Sequence, residues 1–146
     1  MFRELEYSQG VTLLLSSFQS LEFALKIYIA TTYKIIVRKL DGAIPFNYSY
    51  QTIKDFPLER LLNCFAKMNA NTDLQSRLNK LRKHRNHVAH QALLLRHEVI
   101  RDILDEDFQQ TKDQLAAVLT ELDDCSAELV RELERVFKIH ADLSAA

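Results

Sequence analysis

Leu74-Gln75-Ser76-Arg77-Leu78-Asn79-Lys80-Leu81-Arg82-Lys83-His84-Arg85-Asn86-His87-Val88-Ala89-His90 is the stretch whose reading decides the fold. Leucines at 74, 78 and 81 step by four and three, the period of a helix with one apolar face. The stripe resumes at Val88, Ala92 and Leu95, and the member missing from it is Arg85. At about 100° per residue, Arg85 projects down the centre of a buried stripe. An arginine is rarely buried without a partner or an anionic ligand. The same geometry sets His90 about 140° away, beside Lys83, Asn86, His87 and His97. Asn86 and His90 are four apart, so their side chains can touch. This segment is also the densest run of basic and imidazole groups in the chain.

Working back toward the N-terminus, Thr72 and Gln75 make a T-x-x-Q capping-box pattern that starts this helix. A short helix is expected over 57–69, with Pro57 in its first turn and Leu58, Leu61, Leu62, Phe65 and Met68 on its buried face. Residues 43–56 read as a long connection carrying Phe46, Tyr48 and Tyr50. Aromatic groups there either stack on bases or pin the loop to the helices, the second being commoner. Residues 3–40 read as one long helix with a seam of Leu14, Phe18, Leu21, Leu25, Tyr28, Thr32 and Ile35. Gly10 bends or starts it, and Asp41-Gly42 ends it with Gly42 in the left-handed conformation.

Working forward, a break is expected around Arg101–Asp105, then a last helix to about residue 140. Its seam is Leu104, Phe108, Thr111, Leu115, Val118, Leu122, Cys125 and Leu129. Some 35 helical residues span about 50 Å, more than a compact domain of this size holds. The helix therefore bends, or its end packs on a second chain. The fold these patterns predict is all-α: residues 1–146 form a single domain, an antiparallel four-helix bundle with two long helices, homodimeric.

Composition agrees. Two glycines and two prolines in 146 residues are too few for the turns of an all-β fold. Net charge is −1, which excludes a generally basic nucleic-acid binder. The distribution is uneven, with seven basic residues from Arg77 to Arg101 against Glu98 alone, then a mostly acidic stretch from Asp102 to Glu134. Either the basic patch meets a local anion, or the two helices neutralise each other as neighbours. Cys64 and Cys125 are isolated on apolar stripes and read as buried thiols in a reducing compartment. No signal-peptide pattern or run of membrane-spanning length stands out, so a cytoplasmic setting is expected, without a membrane partner.

Arg85-Asn86-x-x-x-His90 resembles the R-x4-H motif, often R-N-x-x-x-H, of HEPN domains (higher eukaryotes and prokaryotes nucleotide-binding). In that family the motif lies in the third helix of a short all-helical bundle, the position it has here. Leu21-Glu22-Phe23-Ala24-Leu25-Lys26 is similar to the family's first helix, with its acidic and basic residues. The resemblance covers roughly residues 14–138. It implies a metal-independent endoribonuclease without cofactors, acting in a toxin–antitoxin, phage-defence or stress role. Two protomers would bring their motifs into one cleft, and an antitoxin of unspecified type is a possible partner.

On that resemblance His90 is general base or acid, Arg85 binds and stabilises the scissile phosphate, and Asn86 orients His90 or a phosphate oxygen. Arg82, Lys83 and His87 are secondary phosphate contacts, and Glu22 supports Arg85. The chemistry suits the residue types. Metal-free RNA cleavage needs a group that moves protons near neutrality and a fixed cation against the phosphate. The chain departs from the family's toxins at Ala92, where some carry a tyrosine that an antitoxin modifies.

Three other readings stand beside this one. His84, His87 and His90 recur every three residues, but no carboxylate sits at ligand spacing and the steps rotate round the helix, so no metal is expected. Arg85 could be an interhelical ion pair with Glu22 or with an acidic residue of the last helix. The chain could also be a non-catalytic dimerisation or RNA-binding module. No Ser-His-Asp pattern, phosphate-binding glycine loop or HExxH is present.

Overall fold

The computed structural model describes the backbone of 2–94 and 108–145, and side chains of 9–87 and 113–145. The described residues form five helices and no strand: α1 (Phe2–Leu40), α2 (Tyr50–Ile53), α3 (Leu58–Met68), α4 (Thr72–Leu94) and α5 (Phe108–Ala145). The expected break at Arg101–Asp105 and the seam residue Leu104 lie outside them.

The long α1 forms because its apolar residues recur at helical spacing with no proline to interrupt it. Leu14, Phe18, Leu21, Leu25 and Tyr28 are buried as expected, and Ile29 and Tyr33 join them. Thr32 and Ile35, at the far end of the expected seam, are half-buried. Gly10 neither starts nor ends the helix. It lets α5 approach, since a Cβ there would stand 2.8 Å from Leu115 Cδ2. Asp41 (φ 47°) and Gly42 (φ 78°) both turn left-handed, and the Ala43 N–H returns to the Leu40 carbonyl at 2.9 Å.

The start of α4 corrects the expected capping box. Asn71, not Thr72, caps the helix: its Oδ1 accepts from the Leu74 N–H at 3.0 Å. Asparagine ranks above threonine as a cap and stands one residue earlier. The Gln75 side chain donates instead to the Asn69 carbonyl at 2.7 Å.

Helix directions follow from which residues meet. Gly10 faces Leu115 and Tyr28 meets Arg135, so α1 and α5 run the same way. Arg77 meets Glu121 and Glu128, while His84 and His87 share a groove with Gln114, so α4 runs against α5. The three long helices alternate in direction. α3 has only 11 residues and packs against α1 and α4. The two longest helices, of 39 and 38 residues, thus lie side by side in parallel. That differs from the antiparallel relation expected of a first and a fourth helix. Their length of about 57 Å is accommodated because each covers the other.

One further expectation is corrected. Gln9–Leu40 is long and apolar enough, by length and composition alone, to cross a membrane. The sequence reading missed this because isolated charges divide the stretch into short apolar runs, whereas the average includes Leu13, Leu15 and Phe23 off the seam. In this fold the seam of the same helix lies in the protein core.

A polar knot fixes the register of these elements. Asn69 Nδ2 donates to the Tyr28 hydroxyl and to Glu132 Oε2, each at 3.1 Å. Asn69 Oδ1 accepts from the Asn71 N–H at 2.7 Å. The Tyr28 hydroxyl donates to the Met68 carbonyl at 3.2 Å, and Arg135 reaches both Tyr28 and Glu132. Replacing Asn69 by Ala removes three of these bonds and is expected to lower unfolding free energy by about 2 kcal/mol. Urea titration would measure it, and an effect indistinguishable from a surface substitution would refute the knot's role.

Candidate functional site

The motif stretch lies in the last half of α4, and its side chains fan out around the helix. Arg85 turns toward α1, with Nη1 2.9 Å from Glu22 Oε1. The contact is an ion pair rather than a directed hydrogen bond, because Glu22 Oε1 has no N–H aligned on it among the described residues. The pair is not sealed: Arg85 keeps 35% of its side chain exposed and Glu22 keeps 19%. A cation in the apolar stripe is tolerated because α1 supplies a carboxylate at the matching level.

Arg82 is half-buried, with Nη1 3.7 Å from Glu59 and Nε buried without a hydrogen-bond partner among the described residues. Lys83, Asn86 and His87 are exposed. The backbone of His90 lies in α4, but its side chain is outside the described residues, and with it the expected Asn86–His90 contact. The same holds for Val88 and Ala92, while His97 lies wholly outside the described residues. The structure therefore brings Glu22 and Arg85 together and keeps Arg82 beside α3.

The opposite flank of α4 faces α5 across a groove of about 460 Å³. Lys80, His84 and His87 line its α4 side, Gln114 and Val118 its α5 side, and Leu81 contributes apolar surface. On the sequence alone His84 reads as a metal ligand or as a plain surface residue. No group of three or more metal-ligating side chains occurs among the described residues. What the groove offers is imidazole and ammonium donors over an apolar floor.

Arg77 anchors the end of this groove. Its Nε and Nη2 donate to the two carboxylate oxygens of Glu121, at 2.6 and 3.3 Å, and Nη1 donates to Glu128 at 2.7 Å. The hydrogen bonds from Arg77 hold the Glu121 carboxyl below its ordinary range, although burial opposes this. The Cys125 thiol donates to Glu121 at 3.6 Å, and burial pushes it up to about 12, so it stays protonated and unreactive. Cys64 is less deeply placed than the sequence suggested, being half-buried. Part of the charge asymmetry along the chain is thus mutual neutralisation of α4 and α5.

A second groove, legible in the sequence only through its aromatic residues, lies at the other end of α1. Tyr33, Lys34 and Arg38 of α1, Tyr48 of the connection, Tyr50 at the start of α2 and His140 of α5 line a groove of about 600 Å³. The only signal for it was the cluster of aromatic residues over 46–50. No sequence period places His140 beside Lys34.

No protein-family model, curated protein or solved structure matches this chain. The likeness to HEPN domains therefore rests on the chain's own motif and helical order.

Two measurements check this geometry. A double-mutant cycle on Glu22→Gln and Arg85→Gln should give a coupling of about 0.5–1 kcal/mol, the range of a partly exposed pair. A value of zero would mean the two are not paired in solution. Glu121 has a folded pKa below its unfolded value, so its ionic contribution is complete above the ordinary glutamate value and lost as pH falls through the lowered one. The stability advantage of the wild type over Glu121→Gln should be largest near pH 7 and shrink below about pH 4.3. An advantage that grows on acidification would contradict the Arg77 assignment.

Proposed function

We propose that this protein is a metal-independent endoribonuclease of the HEPN-like kind, working as a homodimer in a toxin, phage-defence or stress role. The observation that carries the proposal is Arg85 in the α4 stripe, paired to Glu22 yet one-third exposed, with Asn86 next to it and His90 one turn on. A cation held in place while still open to solvent is suited to meet a phosphate. Glu22 then acts as a positioning group for Arg85.

The reaction is transesterification. His90, as base, takes the proton from a 2′-hydroxyl; the 2′-oxygen attacks the adjacent phosphorus and the bond to the 5′-oxygen breaks. The products are a 2′,3′-cyclic phosphate and, once the leaving oxygen takes up a proton, a 5′-hydroxyl. Arg85 offsets the charge that builds on the phosphoryl oxygens, Asn86 orients His90 or one of those oxygens, and Arg82, Lys83 and His87 hold neighbouring phosphates.

Helical phase sets Arg85 and His90 about 140° apart, so one α4 does not aim both at one phosphate. A second copy would complete the cleft, in a four-helix HEPN-like arrangement. Exposed Leu13 and Phe23 on α1 and Val130 and Phe137 on α5 supply apolar surface for such a contact. The separate thiols of Cys64 and Cys125 suit a reducing, cytoplasmic setting.

A second reading is favoured by the same ion pair. If Glu22 and Arg85 only close the α1–α4 contact, the chain is a non-catalytic dimerisation or RNA-binding module.

The deciding experiment incubates purified protein with RNA in EDTA and characterises the ends. Cleavage with 2′,3′-cyclic phosphate ends is expected. His90→Ala should reduce the rate by about 10²–10⁴-fold with helix content unchanged. No cleavage by the wild type supports the module. Activity that EDTA abolishes and added metal restores overturns the metal-free mechanism.

A further inference from the structure

The groove at the far end of α1 is used by nothing described so far. Phe46 pins the connection 41–49 to the body: its ring centroid is 5.7 Å from Tyr33 and 5.2 Å from Tyr48. Tyr33 is buried, and burial, followed by Cys64 and Tyr48, pushes its phenol above the ordinary value, so it stays neutral. Tyr48 lies 5.7 Å from Tyr33, tilted by 37°, yet 55% of its surface remains exposed. Tyr50 is 38% exposed beside it. Tyr48 is thus held by its ring contacts with Tyr33 and Phe46 while much of its surface stays open to a flat group, with the exposed Tyr50 ring beside it.

Lys34 and Arg38 are one turn apart on the exposed face of α1 bordering this groove, and His140 joins them from α5. Side chains four apart on a helix are separated by roughly 5–6 Å at Cβ, close enough for both cations to contact one phosphate. Among the described residues, no carboxylate lines the groove. Its volume of about 600 Å³ falls within the range of small-molecule sites.

We propose that this groove binds one unpaired nucleotide, with its base against Tyr48 and Tyr50 and its phosphate on Lys34 and Arg38. An aromatic platform beside paired cations is the chemistry that recognises a base and its phosphate together. The nucleotide is free or is one unit of a single strand; the chemistry is the same. The groove lies about 18 Å along α1 from Glu22, counted as 12 residues of helical rise, so it is separate from the Arg85 site.

The test measures binding of a fluorescently labelled 2′-O-methyl oligouridylate to the full chain by anisotropy. That strand has no 2′-hydroxyl to attack, so the result does not depend on ribonuclease activity. Tyr48→Ala should weaken binding about tenfold or more, while Tyr48→Phe, which keeps the ring, should bind like the wild type. Lys34→Gln with Arg38→Gln should flatten the slope of log affinity against log salt by about 0.7, the loss of one phosphate contact on a single strand. Both cations and Tyr48 are exposed, and helix content by circular dichroism is the control for folding. Competition by uridine monophosphate identifies a free nucleotide as sufficient, and its failure to compete identifies a strand. No binding by the wild type, or equal binding by Tyr48→Ala, overturns the proposal. In an Arg85→Ala background, which removes the phosphate contact of the proposed ribonuclease site, the loss on Tyr48→Ala should persist; if Arg85→Ala alone abolishes binding, the nucleotide sits at the Arg85 site and the groove is not the ligand's place.

Discussion

The hydrogen bonds that meet at Asn69 hold the rest of the molecule in register. One amide joins the Tyr28 hydroxyl of α1, Glu132 of α5 and the turn that leads into α4. Hydrophobic burial drives the helices together but is indifferent to a slide of one turn. Directed bonds are not indifferent, because a shift of one turn would leave several half-buried polar atoms without partners. With Tyr28 tied to Asn69, α4 starts at a fixed level beside α1, and Arg85 comes opposite Glu22.

The arginines of α4 show how position decides what a charge does. Arg77, Arg82 and Arg85 each face a carboxylate, on α5, α3 and α1 respectively. Arg77 is consumed by two glutamates and serves α4–α5 packing. Among the described residues Arg85 has one partner, and it keeps a third of its side chain in solvent. The same residue type on one helix thus yields an anchor in one place and a candidate phosphate contact in another.

The stripe on α4 and its interruption at Arg85 were legible because helical phase depends only on spacing. The α1 seam through Tyr28 and the α5 seam from Leu115 to Leu129 were legible for the same reason. The Asn71 cap was misread by one residue, since Asn71 and Thr72 both satisfy the local chemistry and the choice is made by Asn69. The Tyr48 groove was legible only in part. Its aromatic half lies in one short segment, but Lys34 and His140 are over a hundred residues apart in sequence.

By itself the sequence determined that this chain is helical, which faces its helices bury, and that an arginine stands in the third stripe. These follow from periodicity and propensity, which are local. Only the tertiary structure decided that α1 and α5 run parallel, that Glu22 meets Arg85, and that Arg77 takes Glu121 and Glu128. Those outcomes depend on which helices become neighbours and at what level. Burial of whole seams and the bonds at Asn69 set both, through residues far apart in the chain.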